Sequence, residues 1–117
     1  VGPEGCRRVV QALAGNTFVR SLLLGTDAIG DEGAADVARL ASVNAHLQVL
    51  YLGCNNIREP GTRDLTQALA ENTSVTGLWL KRNPIGPGGA HALAHMLRRN
   101  QTLRTLDLVN TSPGHDG

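Results

Sequence analysis

The chain is short of nearly everything that gives a small protein a compact centre. Of its 117 residues only Phe18, Tyr51 and Trp79 are aromatic and only one is methionine. Any core must therefore be aliphatic and thin. Two cysteines, Cys6 and Cys54, are too few for a disulfide scaffold. Neither sign of charge dominates: 11 basic and 10 acidic side chains leave a formal charge of +1. That balance argues against a dedicated nucleic-acid binder, which carries a clear basic excess. No apolar run approaches the ~18 residues that a membrane-spanning helix needs, and no signal peptide is visible.

Side chains that do chemistry are present without the arrangements chemistry requires. His91 and His95 have the i, i+4 spacing of two metal ligands on one helix, but no third ligand falls in their register. The stretch 86–89 is glycine-rich and lacks the Lys-Ser/Thr of a phosphate loop. Ser, Cys, His and Asp form no nucleophilic constellation. The expectation is a non-enzymatic protein with no cofactor and no metal.

What the chain does have is a repeat. Leu47, Leu50, Leu52, Asn55 and Ile57 are followed by Gly61, Leu65, Leu69 and Asn72. Adding 28 gives Val75, Leu78, Leu80, Asn83, Ile85, Gly89, Leu93, Leu97 and Asn100. Subtracting 28 gives Val19, Leu22, Leu24, Asp27, Ile29, Gly33, Val37, Ala41 and Asn44. By length this is one domain with room for about four such units.

A period in this range with this Leu/Asn spacing is the signature of a leucine-rich repeat. The motif resembles the long, ribonuclease-inhibitor-like class, which also forms the sensing end of NOD-like receptors and the body of Ran-type GTPase-activating proteins. The resemblance implies an α/β fold: a right-handed leucine-rich-repeat solenoid, or horseshoe, with a parallel concave sheet of about four strands and about four outer helices. The repeat domain is expected over 1–110 and a C-terminal tail of loop or disorder over 111–117. The chain starts inside a repeat and has no polar capping repeat, so it reads as a piece of a longer protein whose uncapped ends could self-associate.

The pattern predicts strands at 19–24, 47–52, 75–80 and 103–108, and helices at about 4–14, 31–42, 59–71 and 87–99. In the first helix Val9 and Leu13 should face inward. Asp31, Pro60 and Pro87 mark helix starts. Asn16, Asn44, Asn72 and Asn100 follow the helices, where Asn suits left-handed backbone and can bond helix-end carbonyls. In the family it resembles, an Asn at the Asp27/Asn55/Asn83/Thr111 position turns inward and bonds neighbouring turns. Asp27 and Thr111 depart from that pattern, so this ladder should weaken in the outer repeats. The glycine column Gly5, Gly33, Gly61, Gly89 suggests a close backbone approach, and Phe18 is expected to pack in a helix-to-strand turn. Cys6 and Cys54 fall in different columns, so no bridge is expected between them and a reducing, cytoplasmic setting is.

Alternation along the strands turns Leu23, Tyr51, Trp79 and Asp107 out onto the concave face as one column. Tyr51 and Trp79 should be substantially exposed, and these are residue types enriched at binding hot spots. Arg20, Lys81, Arg82 and Arg104 line the same face and its rim, while Glu4, Asp31, Glu32, Asp36, Glu59, Asp64 and Glu71 map to the helical side. The reading is a recognition module for an acidic partner, either another protein or another domain of the parent chain. The resemblance to NOD-like receptors further implies ligand sensing or autoinhibition in innate immunity. Two alternatives are a GTPase-activating or other enzyme-regulating module, which would need a rim insertion that no repeat has, and direct binding of a nucleic acid or microbial ligand at Tyr51 and Trp79.

Overall fold

Each repeat contributes one strand and one helix, because its leucines first alternate and then recur at helical spacing. A computed structural model describes residues 2–109 and 111. The order is α1 (Gly2–Leu13), β1 (Ser21–Leu23), α2 (Gly30–Val43), β2 (Val49–Tyr51), α3 (Glu59–Glu71), β3 (Gly77–Trp79), α4 (Gly86–Arg99) and β4 (Thr105–Asp107). The four strands form one parallel sheet in sequence order. Its register steps by one repeat throughout, aligning Leu22, Leu50, Leu78 and Leu106. Helices pack about 8–10 Å apart and strands about 4.8 Å apart, so the stack curves with the sheet inside.

The strands are shorter than the alternation predicts. At their start the Gln48 and Val49 N–H groups both donate to Arg20 O, at 2.7 and 3.0 Å, so the regular ladder begins only afterwards. Past the strand ends single bonds continue, Leu24 N–H to Tyr51 O at 2.9 Å and Leu52 N–H to Trp79 O at 2.8 Å. The core is a set of stacked rows. Leu50, Leu52, Ile57, Leu65, Leu78, Leu80 and Ile85 are completely buried. Burial fades at β4, where Leu103, Leu106 and Leu108 are only partly covered. In α1 the buried side chains are Cys6 and Val10, with Val9 and Leu13 half-buried. The expected inward pair packs at the margin of the core and the buried pair lies three positions earlier, because α1 packs on α2 with the Cys6 thiol 3.6 Å from Gly33 O.

Two asparagine ladders tie the repeats together. Asn44 accepts the His46 and Leu47 N–H groups at 2.7 and 3.0 Å and donates to Leu13 O and Asn16 O, both at 3.0 Å. Asn72 and Asn100 repeat this, reaching Ala41 O and Leu69 O of the preceding helices. The expectation of left-handed backbone here fails: Asn44, Asn72 and Asn100 are extended. The amide makes its bonds from that conformation without needing the other. Left-handed residues sit instead in the strand-to-helix turns, at Thr26, Ala28, Cys54, Asn56 and Arg82.

In those turns Asn55 accepts Asp27 N–H at 2.8 Å and donates to Leu24 O at 2.6 Å. Asn83 does the same for Asn55 N–H and Leu52 O, both at 2.8 Å. Thr111, also buried, donates to Leu108 O at 2.8 Å within its own turn. Of the tail expected over 111–117, residues 112–117 lie outside the described residues.

Asp31 lies in the first turn of α2, where a helix start was expected, but its carboxylate accepts Arg58 N–H at 2.7 Å and Gly61 N–H at 3.0 Å, capping α3 of the next repeat. Gly61 is required there, since a Cβ would stand 2.9 Å from Ala34 Cβ. Phe18 does not pack: it is 86% exposed. Its backbone is held by Asn16, whose side-chain oxygen accepts the Phe18 N–H at 2.8 Å, so the turn needs nothing from the ring.

Candidate binding surface on the concave sheet

The register places Leu23, Tyr51, Trp79 and Asp107 in one row across β1 to β4. Alternation puts them on the open face, since their neighbours Leu22, Leu50, Leu52, Leu78 and Leu80 are buried. The two rings nevertheless lie down. Trp79 folds back along its own strand over Gly77, where any Cβ would overlap the indole. Tyr51 leans over Gly25 of the preceding repeat, where a Cβ would stand 2.7 Å from the ring. The ring centroids are 6.3 Å apart with planes inclined by 26°. Lys81 runs past Gly53 and sets its ammonium 5.7 Å from the Tyr51 centroid.

Both rings are therefore half-buried, which corrects the expectation of substantial exposure. Alternation decides the face, but glycines on the same strand or just past the neighbouring strand decide how flat a side chain rests on it. The side chains that stand clear are Leu23 at 67% and Val109 at 59% exposure. Val109 and the half-buried Val49 belong to this surface and were missed, as were the seats at Gly25 and Gly77. All lie two residues from a row position, so the same alternation could have found them.

The charged residues do not gather at one point. Arg20 and Arg104 stand at the edge where strands begin, one residue before the outer strands β1 and β4. Arg82 follows β3 at the opposite edge, and Lys81 joins the row beside Tyr51. The Arg20 guanidinium donates to Thr17 O at 2.9 Å. Asp107 accepts the Val109 N–H at 3.0 Å. Among the described residues none of the four cations has a carboxylate partner. On the helical side Arg7 and Arg8 pair with Glu4, Arg39 with Asp36, Arg63 with Glu59 and Arg99 with Glu71. Of the helical-side arginines only Arg58 and Arg98 lack such a partner among the described residues. The sheet side therefore carries uncompensated positive charge with Asp107 as the acid in its row.

Elsewhere, His91 and His95 are exposed on α4 beside Arg63, Gln67 and Arg99 of one shallow groove. Among the described residues no group of three or more His, Cys, Asp or Glu could hold a metal ion. Both cysteines are free thiols. Burial first, and the charge of Asp27 second, push the Cys6 thiol above its ordinary pKa. Among the described residues no helix is long and apolar enough to cross a membrane.

These features define a leucine-rich repeat solenoid with an aromatic, positively charged sheet face. A family model described as a leucine-rich repeat matches residues 43–62. A solved structure described as leiomodin-1 actin-binding site 2 superimposes with a TM-score of 0.87 at 27% identity over 92% of this chain. The C-terminal domain of tropomodulin from Caenorhabditis elegans superimposes with a TM-score of 0.76 at 14% identity over 93%, a likeness of fold alone. This chain spans 64% of the length of each of those structures. No curated protein sequence matches it.

Proposed function

We propose that the chain is a non-enzymatic protein-recognition module that takes its partner on the concave sheet. Leu23, Tyr51 and Trp79 form the contact floor, and Arg20, Lys81, Arg82, Arg104 and Asp107 set its charge. The observation that carries this reading is the row itself: one exposed and two half-buried large apolar side chains in register, none of them needed by the core beneath. The similarity to leiomodin-1 actin-binding site 2 makes actin the first partner to test. The resemblance to NOD-like receptors supports the same face serving, in a longer parent chain, as a ligand sensor or autoinhibitory surface. Two free thiols fit a reducing, cytoplasmic setting.

Titration of actin, as monomer and as filament, tests this reading. Trp79→Ala should weaken binding by about 2 kcal/mol, the size of a hot spot, while thermal and denaturant melts stay near the parent. Charge reversal at Arg82 or Arg104 should chiefly slow association and reduce its salt dependence. Binding unaffected by Trp79→Ala would rule out the concave site. Tight binding of heparin or single-stranded nucleic acid at Tyr51 and Trp79, with none of actin, would favour the polyanion alternative.

A further inference from the structure

We infer, on the reading that the concave sheet is the recognition face, that its occupant is an amphipathic helix with acidic flanks. It lies across the strands with its N-terminus over β4.

The argument begins with the shape of the charge. The apolar floor of Leu23, Tyr51 and Trp79 runs across the strands, while the unpaired cations stand to either side of it. Arg20 and Arg104 mark one edge. Arg82, equivalent to Thr26 in the first repeat and so six residues beyond Arg20, marks the other. Six residues at the extended rise set an upper limit of about 20 Å between the edges, which the left-handed turn at Thr26 and Arg82 shortens. An α-helix is about 10–12 Å in diameter with its side chains. It fits between the edges with room for arginine side chains to reach in from both. A helix resting an apolar stripe on the floor turns its flanking residues sideways, toward those arginines. An extended peptide cannot do this, because its side chains alternate toward and away from the floor and carboxylates between apolar residues would point to solvent. The outer strand axes are about 14 Å apart, which three helical turns span.

Polarity follows from the ends of the row. Asp107 closes it at β4 and Leu23 at β1. The positive end of a helix dipole favours a carboxylate, and the negative end favours a cation. The N-terminus therefore belongs over Asp107, and the C-terminus over Leu23 and toward Arg20. Arg104 precedes β4, three residues before Asp107, at the edge, where it meets a flank of the helix and not its end.

The chain's single tryptophan is Trp79, so its emission reports this site directly. The probe is an alanine-based peptide of about 13 residues, three to four turns, with leucines along one stripe, glutamates on both flanks and no aromatic residue. It should shift the Trp79 emission saturably. Replacing the flanking glutamates by lysines, reversing Lys81 and Arg104 together to Glu, or placing a proline mid-peptide should each weaken binding by at least about tenfold. A nitroxide on the peptide N-terminus should quench Trp79, on β3, more than one on the C-terminus. Equal binding of the lysine or proline peptides, or none at millimolar concentration, overturns the helix; stronger quenching from the C-terminus overturns its direction. The two levels separate cleanly. If actin binding is lost in Trp79→Ala while the peptides fail, the helical occupant is wrong and the recognition face stands. If actin binds Trp79→Ala normally, the face itself is wrong.

Discussion

Trp79 shows how much of this surface is decided by one small neighbour. The indole lies on the sheet because Gly77 has no side chain to hold it off. The atoms a Cβ would meet are at the far end of the indole, which can swing away. Gly77→Ala should therefore lift the ring, red-shifting its emission and opening it to acrylamide, at a stability cost below about 1 kcal/mol; strain from overpacking would cost about 1–3 kcal/mol instead. Leu78, next to it, points the other way and is fully buried. Leu78→Ala should cost roughly 2–5 kcal/mol through the cavity it leaves, and denaturant melts of the two variants separate the faces. Cys6 supplies a pH test. Its thiol pKa is raised in the fold by burial and by Asp27, so the folded state holds the proton more tightly than the unfolded one. That contribution is intact below the ordinary thiol range and is lost as pH rises through the folded value. Cys6→Ala should flatten the alkaline decline in stability; an unchanged slope would mean Cys6 does not contribute to it.

At the scale of elements, each repeat finishes its neighbour. The first turn of α3 has no cap of its own, and Asp31 from α2 supplies it. Asp31→Ala should cost about 1–2 kcal/mol, the range of a lost N-cap, with faster amide exchange at Arg58 and Gly61 and little change in α2. If protection falls instead in the first turn of α2, the cap is local and the assignment is wrong. The asparagine ladders follow the same logic. The amides of Asn44, Asn55, Asn72, Asn83 and Asn100 each reach a carbonyl of the preceding repeat. Such bonds make the interface between repeats, more than the repeat itself, the unit of stability.

At the scale of the molecule, the fold separates functions by face. The helical side carries the paired charges, the interior the stacked aliphatics, and the sheet side the unpaired cations and flat aromatics. The chain extends 41 × 31 × 18 Å, a curved slab with no deep centre. Its outer rows are less covered than its inner ones: Val9 and Leu13 on α1 and Leu103, Leu106 and Leu108 at β4 are only partly buried. The chain on its own is expected to self-associate through these rows, so sedimentation should show mass rising with concentration. A monomer at high concentration, with a melting point independent of concentration, would count against it.

The unbroken register from Val1 to Leu108 determined by itself the number of elements, their parallel order, the stacked strand leucines and the row Leu23, Tyr51, Trp79, Asp107. Those depend only on period and alternation, which a sequence displays directly. Tertiary structure alone decided the rest. That Asp31 caps a different helix and that Tyr51 reclines on Gly25 depend on distances between repeats, while Phe18 standing free and Trp79 reclining on Gly77 depend on how each side chain packs within its own repeat. Tertiary structure also sets Arg20, Arg104 and Arg82 along two edges, with Lys81 beside Tyr51 between them. A one-dimensional pattern says which side of a strand a residue leaves from. How far it then travels is set by the volume its three-dimensional neighbours leave open.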